Sequence, residues 1–386
     1  DVTNKNNKYT SKLEGNNIIF IQLEGIDNWL LTKENTPNLY SLMNSGINFT
    51  KHYSYYNGGG STFNSEFAVN TGFITPLSYT RNAYTFSKNN FKYSLPNIFK
   101  ELGYTVNAFH MNSGEYYSRT INYKNWGYDN YYGLKDLGEY KDTSYQLDRE
   151  LILNETFNEL MFPTDTLFVD YIITYSAHLP FSNTSGVCKL LYLEDNPGID
   201  KEDIELMDEE TCVRRQAKET DYMVGLLIEE LKKKNLYDNT VIVAYADHYL
   251  YSLENQEIIA KYKTTTNNLV NNTPFFIWSK NIKKTTVSKV TSQLNILPTV
   301  LNLMGVSYNI NNYIGYDALS DSYKGYAFFS DYSWYDGNVY VEDGKIVNNK
   351  KATGEYIDEM NSNINLVIRK NDLALKYDYF NIKGIE

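Results

Sequence analysis

The chain has 386 residues, 42% hydrophobic and 22% charged, a composition that fits a globular protein with a sizeable core and excludes wholesale disorder. At this length it holds one large α/β domain with an appended piece, or two ordinary domains. Its formal charge of −11, with no cluster of lysines and arginines, excludes a broad electrostatic grip on nucleic acid.

The chain opens on Asp rather than Met, and its first ten residues, DVTNKNNKYT, carry no apolar leader, which points to a trimmed ectodomain rather than a cytosolic protein. Residues 17–23 (NIIFIQL) form an apolar run stopped by Glu24-Gly25, the pattern of a buried strand ending at a loop. A helix is expected to start at Thr36 as N-cap with Pro37 in its first turn. The glycine-rich stretch Gly58-Gly59-Gly60 runs into a second helix with Ser61 or Thr62 as N-cap, and a third helix over 95–102 stops at Gly103. Strands follow at 104–110, 166–175 and 239–246, none of these runs reaching the ~18 apolar residues that cross a bilayer. Between the last two lies a long charged amphipathic helix over 212–234, with Met223, Leu226, Leu227 and Leu231 on its apolar side. A strand over 273–278 and a helix over 293–303 complete an alternation that predicts a mostly parallel sheet with helices on both faces.

From about Asp321 the pattern changes. Short antiparallel strands are expected at 326–330, 339–342 and 345–347, with a tight turn at Asp343-Gly344 and a last helix over 360–377. The expected organisation is therefore a catalytic α/β domain over residues 1–320 and a small α+β subdomain over 321–386. Cys188 and Cys212, the only cysteines, suit either one disulfide or two buried thiols.

Ligands of open α/β sheets gather at the carboxyl ends of the strands, and those ends collect Glu24, His110, His178, Asp247 and His248. The chain has four histidines in all, His52, His110, His178 and His248, and three of them fall just after a strand-like run. For any one alone, a structural histidine is the ordinary alternative; three at one sheet edge point to a site. Adjacent Asp247 and His248 can turn toward one divalent cation, an oxygen and an imidazole together suiting Mn²⁺, Zn²⁺ or Mg²⁺, with Glu24 as a further ligand from a neighbouring strand. Ser61 and Thr62 place a hydroxyl at a helix N-terminus, where unpaired N–H groups favour an anion such as phosphate.

These residues resemble the extracellular catalytic domain of lipoteichoic acid synthases and related phosphoglycerol transferases, within the alkaline phosphatase and sulfatase superfamily. The resemblance runs in chain order over roughly residues 17–319: Ile21-Gln22-Leu23-Glu24; Thr62 with Glu66-Phe67; Phe109-His110-Met111-Asn112 through Tyr117 and Arg119, then Trp126-Gly127-Tyr128-Asp129; Thr174-Tyr175-Ser176-Ala177-His178-Leu179-Pro180-Phe181; and Ala246-Asp247-His248. It implies one Mn²⁺ held by Glu24, Thr62, Asp247 and His248, with Thr62 as nucleophile. It further implies a glycerol phosphate pocket made by His110, Asn112, Tyr117, Arg119 and His178, with the bidentate fork of Arg119 on the phosphate oxygens and His110 and His178 donating hydrogen bonds or moving protons. The implied donor is a phosphatidylglycerol-type lipid, the acceptor a glycerol phosphate polymer or glycolipid, and the place the outer face of a membrane reached through N-terminal helices. Asn112, Tyr117, Ala246 and Tyr249 depart from the residues that relatives carry at those positions. A sulfatase is disfavoured because no Cys/Ser-x-Pro-x-Arg segment surrounds Thr62. A phosphodiesterase, a phosphoethanolamine transferase and a silent binding module remain the alternatives.

Overall fold

The computed structural model describes residues 2–55, 60–137, 147–265 and 267–382. Among these, eight strands form one sheet in the order Asn130–Tyr132, Thr105–His110, Phe168–Ile173, Asn17–Leu23, Thr240–Ala246, Phe275–Trp278, Ile47–Phe49 and Thr285–Val287. The first five run parallel. Phe275–Trp278 is antiparallel to both of its neighbours. The expected mostly parallel sheet with helices on both faces is thus present, with one reversed strand that apolar periodicity cannot reveal, since a short buried run reads alike in either direction.

Alternation along the central strands builds two cores. Ile18 and Phe20 join Val241, Val243 and Tyr245 on one face, beneath Phe63 and Phe67 of the Ser61–Thr71 helix. Ile19, Ile21 and Leu23 join Ile242 and Ala244 on the other, beneath Met223, Leu227 and Leu231 of the Glu209–Lys233 helix. Burial on both sides explains why these strands are nearly unbroken apolar runs. Cys188 of the Gly186–Asp195 helix is bonded to Cys212 of that long helix, settling the alternative left open by the sequence.

The C-terminal part has four antiparallel strands, Ala327–Phe328, Trp334–Tyr335, Tyr340–Glu342 and Lys345–Ile346. Asp343 and Gly344 both take positive φ, as a two-residue hairpin turn with the twist of its strands requires. The terminal helix covers Gly354–Lys376, starting six residues before the expected 360 because Thr353 caps it by accepting from the Tyr356 N–H. Its Ile357, Ile364, Ile368 and Leu375 enter the same core as the Ser61–Thr71 helix. No helix among the described residues is long and apolar enough to cross a membrane.

Candidate functional site

Asn17–Leu23 and Thr240–Ala246 end together, Leu23 paired with Ala246, so Glu24 and Asp247 each stand one residue past the ladder on adjacent strands. The chain turns away at once after Glu24. Gly25 takes φ +63°, and a Cβ there would sit 2.4 Å from the Ala177 carbonyl oxygen, so glycine is required. Asp247 Oδ1 accepts the N–H groups of Gly25 (3.1 Å) and His248 (2.8 Å), which leaves Oδ2 for the site. His248 donates Nδ1–H to the Tyr249 carbonyl at 2.8 Å, and its Nε2 lies 3.3 Å from Glu24 Oε1 and 3.1 Å from Asp247 Oδ2. The ligand atoms of Glu24, Asp247 and His248 fall within 4.8 Å of one another, all three residues buried.

Two buried carboxylates this close cannot both ionise at their usual pH. Burial, and next the Glu24 charge, push Asp247 up to about 7. Burial works against the Glu24 charge, yet hydrogen bonding with Asp247 and the charge on His248 hold it below the usual carboxylate range. Burial likewise opposes a charged His248, but Asp247 and Glu24 hold its proton well above the ordinary imidazole range. A buried O,O,N donor set, with the second imidazole nitrogen locked on a carbonyl, fits a divalent cation in place of that proton.

Thr62 completes the cluster. Its Oγ1 lies 3.2 Å from Glu24 Oε2 and 3.1 Å from Asp247 Oδ2. The structure corrects the expected capping: Gly60, at φ +86°, is the N-cap, and Ser61 and Thr62 are the first two residues of the helix, the Thr62 hydroxyl turned to the carboxylates instead of to helical N–H groups. Gly58 and Gly59 lie outside the described residues.

Two adjoining cavities of about 200 and 260 Å³ share Glu24, Thr62, Tyr116, Tyr117 and His178. The larger is also bordered by His110, Asn112, Arg119, Thr174 and Tyr175, and the smaller by His248, whose cluster with Glu24 and Asp247 brings the remaining sequence-predicted site residues to the same place. His110 donates Nδ1–H to the Ile173 carbonyl at 2.9 Å, and burial and the Arg119 charge push its pKa well below the ordinary value. It is thus a neutral imidazole with Nε2 as acceptor. His178 is exposed, with Nδ1 on the Leu179 carbonyl at 2.8 Å. Its loop is held by Gln216, which donates to the Ser176 and His178 carbonyls, and by Asp148, which accepts the Tyr175 and Ser176 N–H groups. Tyr117 takes φ +54° and packs on Phe63 and Tyr84.

Arg119 differs from expectation. Its fork is occupied, Nε and Nη2 each donating at 2.9 Å to Glu66, so a bidentate grip on phosphate is not open to it and only Nη1 is without a partner. Tyr123 adds a 2.6 Å bond to the same carboxylate. Glu66 was noted only as part of the Thr62 segment, and its role as the partner of Arg119 was missed. A lone carboxylate one turn after Thr62, on a helix otherwise free of charge, is the signal that could have found it. His52, the fourth histidine, is core-buried against Thr291, away from the site.

The model of the sulfatase family matches residues 16–306. Lipoteichoic acid synthase 2 of Bacillus subtilis is 27% identical over 333 residues, covering 83% of this chain and 49% of that protein. The lipoteichoic acid synthase of Staphylococcus saprophyticus is 27% identical over 374 residues, covering 88% of this chain and 54% of that one. The chain thus spans about half the length of the curated relatives it matches. Among solved structures, the lipoteichoic acid synthase LtaP from Listeria monocytogenes superposes with a TM-score of 0.74 at 21% identity, covering 98% of this chain and 95% of its own. Streptococcus pyogenes phosphoglycerol transferase GacH, in complex with sn-glycerol-1-phosphate, gives 0.53 at 18% identity over 78% of this chain and 76% of its own.

Proposed function

The chain belongs to the sulfatase family, and from that premise we propose that it is a phosphoglycerol transferase, moving glycerol phosphate from a phosphatidylglycerol-type lipid to a growing lipoteichoic acid-type polymer or glycolipid through an ester on Thr62. The names of its curated relatives support the group transferred, as does the sn-glycerol-1-phosphate held by GacH. The observation that carries the reading is the Thr62 hydroxyl, 3.1 to 3.2 Å from two buried carboxylates that also face His248 Nε2. A divalent cation, Mn²⁺ first with Mg²⁺ or Zn²⁺ as alternatives, would be held by Glu24, Thr62, Asp247 and His248 and would supply Lewis-acid polarisation of the phosphate and a more acidic Thr62 hydroxyl.

The chain's own residues then divide the work. Thr62 Oγ forms the new bond to phosphorus as the bond to the diacylglycerol oxygen breaks, its proton passing to the facing carboxylates. His178 hands a proton to the departing oxygen through Nε2 and takes one from the incoming hydroxyl in the second displacement, when the carboxylates return the proton to Thr62. Neutral His110 accepts a hydrogen bond from a glycerol hydroxyl, Asn112 and Tyr117 border the glycerol, and Arg119 Nη1 gives one bond to the phosphate. In the same reading, residues 321–386 are a small subdomain packed on a catalytic domain of 1–320, and the enzyme works at the extracellular face of the cell membrane, carried by membrane helices of a longer protein.

The test is diacylglycerol release from labelled phosphatidylglycerol with Mn²⁺, parent beside Thr62→Ala. Release by the parent alone, abolished by chelator, is expected. Retained release by a folded Thr62→Ala protein removes Thr62 as nucleophile, and no release by either turns the reading to another head group.

A further inference from the structure

Gln22 is the next-to-last residue of the central strand, fully buried in the run Ile18-Ile19-Phe20-Ile21-Gln22-Leu23. An amide in such a place costs several kcal/mol unless both its ends find partners. Both do. Oε1 lies 3.0 Å from the Tyr171 hydroxyl and 2.8 Å from the Tyr245 hydroxyl, and the two hydroxyls also touch, so at least one phenol donates to the amide oxygen and the other donates either to it or to its neighbour; Nε2 donates to the main-chain carbonyl of Thr62 at 3.1 Å. The phenols come from the two strands flanking Gln22, and Tyr245 is its register partner. All three side chains are completely buried, so this is a polar cluster inside an apolar core, and among the described residues the one main-chain group it reaches is the carbonyl of Thr62.

That carbonyl does not need Gln22 for satisfaction, because helical geometry supplies the N–H four residues on. What the amide adds is a fixed tie between the middle of the sheet and the first turn of the Ser61–Thr71 helix. The N-cap of this helix is Gly60, which has no side chain to fasten the first turn, so the amide is a side-chain tie at that end of the helix. On its other side the helix is held by Ser65, whose hydroxyl donates to the Asp247 carbonyl at 2.7 Å and accepts from Gln293 at 2.8 Å. Gln22 is the side chain that holds the Thr62 main chain, while Glu24 and Asp247 face its hydroxyl.

We infer that Gln22 is a positioning residue, which holds the Thr62 hydroxyl between Glu24 and Asp247 by gripping the Thr62 backbone from the sheet. The inference rests on Thr62 being the nucleophile. Two variants test it. Gln22→Met removes the amide. The triple variant Gln22→Met/Tyr171→Phe/Tyr245→Phe replaces the whole polar cluster by apolar groups of similar shape, so that no phenol is stranded and the fold keeps its stability.

In both, kcat for phosphatidylglycerol cleavage is expected to fall about 10- to 100-fold with KM nearly unchanged, the signature of a misplaced reacting atom rather than of lost substrate binding. In a crystal structure of the triple variant the Thr62 Oγ should have left hydrogen-bond distance of one or both carboxylates. A triple variant with the parent's kcat overturns the inference, and so does one whose Thr62 Oγ is undisplaced. If the parent itself releases no diacylglycerol, the functional reading fails, while the position of Thr62 in the triple variant still decides the role of Gln22.

Discussion

Arg119→Met separates two things that the buried Glu66–Arg119 pair can do. Both side chains are at most 1% exposed, and the guanidinium makes two 2.9 Å bonds to the carboxylate. Removing it leaves Glu66 buried with the Tyr123 hydroxyl as its remaining side-chain partner, and breaking a buried pair in this way costs about 3–5 kcal/mol. An unfolding entropy of about 2.1 cal/mol/K per residue comes to about 0.8 kcal/mol/K for this chain, so Tm should fall by about 4–6 °C. The double variant Glu66→Leu/Arg119→Met, made together with Tyr123→Phe so that no buried phenol loses its partner, puts apolar groups in the same space, a change that is often neutral, and its Tm should return to within about 2 °C of the parent. Turnover should not return with it. A lost hydrogen bond from Nη1 to a charged phosphate is worth about 1.5–3 kcal/mol, or about 10- to 150-fold in kcat/KM. Scanning calorimetry and diacylglycerol release, run on the parent and both variants, give the four comparisons. A stable double variant with the parent's turnover refutes any contact of Arg119 with phosphate, and an Arg119→Met protein that melts like the parent refutes the account of the ion pair.

Other outcomes follow from the same physical picture. Replacing Cys188 and Cys212 by alanine opens a loop with a sequence separation of 24, and chemical denaturation should show a loss of roughly 3.5 kcal/mol in the chain-entropy model. Gly25→Ala should cost about 2 kcal/mol or more and depress kcat, since its Cβ meets the Ala177 carbonyl at a positive φ; a parent-like Tm and kcat would refute that contact. Asp148, raised to about 6 chiefly by burial, binds its proton more tightly folded than unfolded, so its contribution to stability is fullest below about pH 4 and is lost as pH rises through about 6. The stability difference between parent and Asp148→Asn should therefore shift against the parent across that window, by at most about 3 kcal/mol, and a difference flat in pH from 4 to 7 would refute it.

The sheet centre was legible because strands buried on both faces are nearly continuous apolar runs, and residues 18–21 and 241–246 are such runs. Glu24, Asp247 and His248 stood out for the same reason: a charge directly after such a run marks its end. The strands Ile47–Phe49 and Thr285–Val287 escaped notice, being three residues long and too short for either period to register. The commitment of Arg119 to Glu66 was hidden because a contact across 53 residues is a product of packing, and an arginine next to an expected phosphate site reads as a phosphate ligand until its fork is seen to be full. Gln22 was read as part of an apolar run, when its amide is the polar link from the sheet to Thr62.

The placement of Glu24 and Asp247 one step beyond a paired Leu23 and Ala246 sets a limit on how this chain can be altered. The gap between the two carboxylates is inherited from the spacing of hydrogen-bonded strands, about 4.8 Å, a distance no side-chain exchange can stretch. Redesign aimed at a different head group or acceptor therefore has its freedom in the segments around Asn112–Tyr117, Tyr175–Phe181 and Tyr249–Ser252, which border the cavities and belong to no ladder. Any change in the separation of these two carboxylates would have to move the backbone of two central strands, and with it both cores.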